Sequence, residues 1–142
     1  MRSRMRILTA LVLLVSMTGC SLLRKKAPIA GLNGVWVPQQ QEMGGSPIPK
    51  GFMENMTLTI SDSRYLVIAG GKDKGKIKYH ENKMDIYGRK GPNAGKHLMA
   101  IFKYEGDELT ICYNLKGDGY PKDFESKSNP MYLLSRFKRA GK

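Results

Sequence analysis

From Asn33 onward, apolar side chains recur at every second position in short runs, and each run stops at glycine, proline, asparagine or aspartate. A period of two puts alternate side chains on opposite faces of a strand, so each run buries one face and solvates the other. Residues 34–37 (Gly-Val-Trp-Val) form the first candidate strand, and 39–51, with two prolines and three glycines, read as a loop. Met56, Leu58 and Ile60 alternate with Thr57 and Thr59, and 65–68 is rich in β-formers. Ile77 and Tyr79 alternate with lysines, Met84 and Ile86 continue to Gly88, and 89–96 is a second loop. Residues 98–104 and 109–113 flank Glu105-Gly106-Asp107, a tight hairpin signal. An irregular stretch, 116–130, precedes a last strand over 131–138.

That gives about eight strands and no apolar period of 3.6 residues sustained over ten positions. Short, evenly punctuated strands predict an all-β barrel or sandwich. Successive hairpins favour a small antiparallel up-and-down barrel, because each strand then pairs with its chain neighbour and closure leaves no free edge.

The N-terminus has a different character. Arg2, Arg4 and Arg6 precede an apolar run of 11 residues, 7–17. Such a run is too short to span a bilayer as a helix and suits the apolar region of a secretory signal. Met17-Thr18-Gly19-Cys20 resembles the bacterial lipobox, with Met where Leu is usual. The resemblance implies a leader over 1–19, cleaved before Cys20, and a diacylglyceryl group with palmitate-type chains on the Cys20 thiol. It implies a protein held in the cell membrane or outer membrane and facing the periplasm or exterior. Ser21 at the second mature position favours the outer membrane, by resemblance to enteric bacteria. Two or more acyl chains make such anchoring stable. Residues 20–32, with Arg24, Lys25, Lys26 and Pro28, read as a tether to a single domain over 33–139.

The leader holds three of the 24 basic residues and none of the 12 acidic ones, which leaves the mature chain at +9. A strongly basic domain attracts polyanions. Export makes nucleic acid a poor partner and brings anionic lipid and envelope polymers near. Lys72, Lys74, Lys76 and Lys78 share one face of a strand at period two and are the candidate surface for anion binding; a solubilising face is the alternative. With Cys20 lipidated, Cys112 is the only other thiol, and its place in Leu-Thr-Ile-Cys-Tyr suits a small buried hydrophobe.

Chemistry-bearing groups are sparse. His80 and His97 have no cysteine or histidine partner at metal-ligand spacing, so they read as surface strand residues and no metal site is expected. There is neither a nucleophile elbow nor a P-loop. Asp107/Glu108 and Asp123/Glu125 sit at turns, where carboxylates are solvated or capping. Gly70-Gly71-Lys72-Asp73-Lys74-Gly75-Lys76 reads as a charged hairpin rather than a phosphate cradle. The expectation is a monomeric non-enzyme without catalytic residues or cofactor.

Two patterns carry a wider resemblance. One is Leu32-Asn33-Gly34-Val35-Trp36. The other is Phe102-Lys103-Tyr104-Glu105-Gly106-Asp107-Glu108-Leu109-Thr110-Ile111-Cys112-Tyr113, followed by Tyr120-Pro121-Lys122-Asp123-Phe124 and the closing strand. Over residues 32–139 the chain resembles the small lipocalin-like bacterial domain found widely in planctomycetes. The resemblance implies a lipocalin-like barrel without an assigned activity. In such barrels a Gly-x-Trp tryptophan closes the floor, and a basic residue of the last strand lies over its ring. Here that implies Gly34, Trp36 and Arg136, with Arg139 as the alternative guanidinium. Two functions follow as expectations: an accessory protein binding a small apolar or anionic ligand, or an envelope protein–protein interaction or inhibitor module acting through its surface.

Overall fold

The computed structural model describes residues 29–141. Nine strands lie in chain order: β1 (Gly34–Met43), β2 (Ser46–Pro47), β3 (Thr57–Ser61), β4 (Arg64–Ile68), β5 (Lys72–His80), β6 (Lys83–Lys90), β7 (His97–Glu105), β8 (Glu108–Asn114) and β9 (Tyr132–Arg139). All pairings are antiparallel, and β1 pairs with β9 as well as with β3. Eight strands therefore close into an up-and-down barrel, and the two-residue β2 hangs on the end of β1. The all-β, antiparallel up-and-down barrel read from the alternation is the fold, and it is consistent with the lipocalin-like form that the resemblance implies.

The alternation does what the pattern requires. Leu58, Ile60, Ile77, Met84, Ile86, Leu98, Ala100, Phe102, Leu109, Ile111 and Phe137 project inward as one cluster around Trp36. Several of their chain neighbours, among them Lys76, Lys78, Lys103 and Lys138, are exposed.

Three boundaries differ from the sequence reading. First, β1 runs on through 39–43, where a loop was expected. Residues 40–43 pair with Arg136 back to Leu133, and the register shifts between Pro38 and Gln40. Proline has no N–H for the ladder, so a bulge is where it fits. Polar Gln39 to Glu42 hid the strand, because a bulge puts two successive residues, Gln39 and Gln40, outside. Second, β6 runs to Lys90, so Arg89 and Lys90, read as the start of the second loop, extend that strand. Third, the domain starts before Asn33. Residues Ala30–Leu32 form a 3-10 turn, Leu32 is fully buried, and Ile29 packs on the core.

That early start builds the floor. Trp36 is fully buried, and its indole N–H donates to the Leu32 carbonyl at 2.9 Å. The guanidinium over its ring comes from Arg139, 4.1 Å from the ring centroid, and not from Arg136. Register gives the reason. Arg139 is the direct cross-strand partner of Trp36 and shares a face with Phe137, two residues earlier. Arg136 has the opposite parity, lies further along the barrel opposite Gln40, and donates to that side chain at 3.1 Å. Gly34 completes the arrangement. Its φ of 141° suits glycine, and a Cβ there would stand 2.6 Å from Arg139 Nη1.

Candidate functional site

The strands carry two groups of polar side chains that converge, one inside the barrel and one on its outer wall.

The interior is not filled. A cavity of about 150 Å³ extends from Ile60 and Phe137, near the floor, to Met56, Asn93, Leu115 and Leu133 at the far end. Leu58, Ile77, Met84, Ile86, Leu98 and Ile111 make its wall, and Gln41, Tyr65, Asp73, Asn93, Tyr113 and Ser135 supply polar groups. Most of these are already spent. Gln41 donates to the Ser135 hydroxyl at 2.9 Å. Asp73 is buried and accepts from the Asn93 side chain at 2.7 Å, the Asn93 backbone N–H at 3.3 Å and the Tyr65 hydroxyl at 3.4 Å. The loop over 91–96 delivers Asn93 because it folds back over Gly88, where any Cβ would overlap the Asn93 carbonyl.

Tyr113 is different. Among the described residues no protein group exchanges a hydrogen bond with its hydroxyl, yet no fully buried polar atom lacks a partner. The hydroxyl therefore keeps accessible surface, and Tyr113 lines the cavity. Burial holds its pKa well above the ordinary phenol value, and neighbouring Tyr65 and Tyr79 raise it further. Desolvation likewise pushes Tyr65 up to about 12, with Asp73 adding to it. The cavity thus offers apolar walls, the Tyr113 hydroxyl and, towards the far end, the Asp73 carboxyl, which makes no ion pair among the described residues.

The outer wall carries the second group. Asp85 faces outward from β6 but is only 6% exposed. It accepts from His97 Nε2 at 2.7 Å and from the Tyr120 hydroxyl at 2.9 Å, and His80 Nε2 lies at 3.3 Å. The His97 ring stacks on Tyr87, with centroids 4.5 Å apart. Tyr120 belongs to the 115–131 connection, which lies against the barrel and covers a small second core of Ile101, Cys112 and Leu134 with Tyr120 and Phe124, beside Tyr132 of β9. Cys112 is fully buried there, and burial, helped by Asp123 and Glu42, pushes its thiol up to about 11.

The four lysines Lys72, Lys74, Lys76 and Lys78 all lie exposed on the outward face of β5, as their spacing implied. Cys20 lies outside the described residues. His80 and His97, read separately as surface residues, are brought together on Asp85. Neither Asp73 nor Asp85 was legible as a site residue, although Asp73 continues the inward parity of Ile77 and a carboxylate in that register is a signal.

No family model, curated protein or solved structure matches the chain.

Proposed function

We propose that this protein is an exported, lipid-anchored binding module whose barrel takes one small, mostly apolar ligand. The observation that carries the reading is the 150 Å³ cavity lined by Tyr113, whose hydroxyl has no protein partner among the described residues. Apolar cavities of about that volume take a benzene-sized molecule. Pockets for larger organic ligands begin near 300 Å³, so a lipid tail does not fit. Asp73 lies on the wall with hydrogen-bond donors but no cation, which disfavours an anion inside. The ligand is then neutral or cationic, roughly one ring in size, with a group that exchanges a hydrogen bond with Tyr113. The lipocalin-like resemblance and the Trp36 floor support a binding rather than a catalytic role. Anchoring through Cys20 rests on the lipobox-like tetrapeptide and the leader before it.

The test of the cavity is a titration with benzene, phenol and benzylamine, following methyl NMR signals of Leu58, Ile60 and Ile111. Saturable shifts confined to cavity methyls are expected, with phenol or benzylamine bound more tightly than benzene. Failure of all three to shift those methyls overturns the reading. Anchoring is tested separately, by labelling cells with a palmitate analogue. The label should appear on the wild-type chain and vanish from Cys20→Ala.

A further inference from the structure

We propose that the outward face of β4, β5 and β6 is a docking surface for anionic phospholipid headgroups, independent of what the cavity holds. Lys72, Lys74, Lys76 and Lys78 are exposed along β5. Arg64 stands directly opposite Lys76, and Lys90 directly opposite Lys74. Among the described residues none of these six makes an ion pair. The carboxylates on these strands do not neutralise them. Asp73 is turned inward and bound by Asn93 and Tyr65. Asp85 is sunk into the wall and occupied by His97, His80 and Tyr120.

Like charges directly opposite one another on an antiparallel ladder cost stability. Two ordinary reasons for accepting that cost do not apply. Lysines on an edge strand prevent aberrant pairing, but β5 is paired on both sides in a closed barrel. Solubility is served as well by interspersed charges of both signs, but the one outward carboxylate of these strands, Asp85 opposite Lys78, is only 6% exposed. A bound polyanion would relieve the repulsion.

The chemistry between the lysines selects the polyanion. Leu66 is the cross-strand partner of Lys74 and Ile68 of Lys72, and both are half-buried on the same outward face. The region where headgroups meet acyl chains accepts such apolar side chains while lysines reach for phosphate. A hydrated polymer gains nothing from them. The stripe from Lys72 to Lys78 is about 20 Å long at the rise of a strand, enough to meet several headgroups. Each lysine near an anionic bilayer contributes roughly a fivefold gain in binding.

The experiment uses the full, lipidated chain in vesicles, so the anchor is the same in every arm. Lysines are acylated with a water-soluble ester and read out by mass spectrometry, in phosphatidylcholine vesicles with and without phosphatidylglycerol. Phosphatidylglycerol should slow acylation of Lys72, Lys74, Lys76 and Lys78 by about fivefold or more, and high salt should abolish the effect. Lys103 and Lys138, on β7 and β9, serve as controls and should react equally in both. Equal rates at all lysines overturn the proposal, as does protection by soluble polyphosphate but not by phosphatidylglycerol. The triple variant Lys74→Gln, Lys76→Gln, Lys78→Gln removes exposed groups only. It should be at least as stable as the wild type and should lose the lipid-dependent protection of Lys72; retained protection would count against this face.

Discussion

The Arg139 guanidinium carbon lies 4.1 Å from the centre of the Trp36 ring, while its two terminal nitrogens each donate at 2.7 Å, to the carbonyls of Asn33 and Gly31. One side chain therefore binds the last strand, the first strand and the turn that precedes it. A stacked cation with two charge-assisted hydrogen bonds is worth more than any one of these contacts. Arg139→Met removes all of them and leaves two carbonyls without their donors, at an expected cost of about 2–4 kcal/mol. Arg139→Lys can reach one carbonyl but cannot stack flat or bridge both, so it should fall about midway. Urea unfolding of the three proteins orders them; a methionine variant within about 0.5 kcal/mol of wild type would remove this pair from the account of the floor.

Trp36 is fully buried between Arg139 and the barrel interior, and its indole N–H is bonded to Leu32. Trp36→Ala opens a large void where the barrel closes. The expected loss is roughly 3–5 kcal/mol. A thermal melt indistinguishable from wild type would show that the floor collapses around the gap or that the ring contributes little.

Tyr113 makes the opposite prediction. Tyr113 lines the cavity, and among the described residues its hydroxyl has no protein partner, so removing it leaves no buried group there unpaired. In the absence of ligand, Tyr113→Phe should be as stable as wild type or more stable, by up to about 1 kcal/mol. The same variant should bind phenol less tightly and benzene about equally. A clear destabilisation of the ligand-free protein would mean the hydroxyl is satisfied within the fold and is not held for a ligand.

What the sequence made legible follows from side-chain parity. Alternation identified the strands, the inward apolar positions and the outward lysines of β5, because all of these depend on a local period of two. The choice of Arg136 came instead from the lipocalin-like resemblance, which asks only for a basic residue of the last strand. The parity of Phe137 and the pairing of β1 with β9, nearly a hundred residues apart in the chain, put Arg139 over Trp36. The Asp85 cluster was hidden for a related reason. His80, Asp85, His97 and Tyr120 come from three strands and a loop, and only the cross-strand register brings them together. Asp73 was overlooked because it sits among lysines in a stretch that looked like a solvated hairpin.

The buried phenols and thiol set a limit on alkaline stability. Tyr65 and Tyr79 are pushed up to about 12, Cys112 to about 11, and Tyr113 is also raised, in each case first by burial. In the unfolded chain these groups ionise near 10 for tyrosine and 9 for cysteine. Between those values and the folded ones, the unfolded state has lost protons that the folded state keeps. Folding stability is therefore fully present below about pH 9 and falls as pH rises. A well-buried phenol such as Tyr65 accounts for up to about 2–3 kcal/mol across its window, the partly buried Tyr79 for less. The urea midpoint should drop between about pH 9 and 12, most steeply above pH 10 where the phenols of the unfolded chain ionise, in step with tyrosinate absorbance on unfolding. A flat midpoint would mean that water reaches these rings in the native state.

Asp85 tests whether the 115–131 connection is held in place or merely rests on the barrel. Its carboxylate is the shared acceptor for His97, from β7, and Tyr120, from the connection. The apolar contacts of Tyr120 and Phe124 with Ile101, Cys112 and Leu134 are independent of it. Asp85→Ala leaves the Tyr120 hydroxyl and the His97 ring without that partner, at a cost of about 1–3 kcal/mol. Because the apolar contacts remain, the loss should be local. Hydrogen exchange should accelerate across 115–131, while β3 and β4, on which the cluster makes no contact, keep their protection. Acceleration spread evenly over the barrel would show that Asp85 supports the whole sheet. No change in 115–131 would show that the apolar contacts alone hold it.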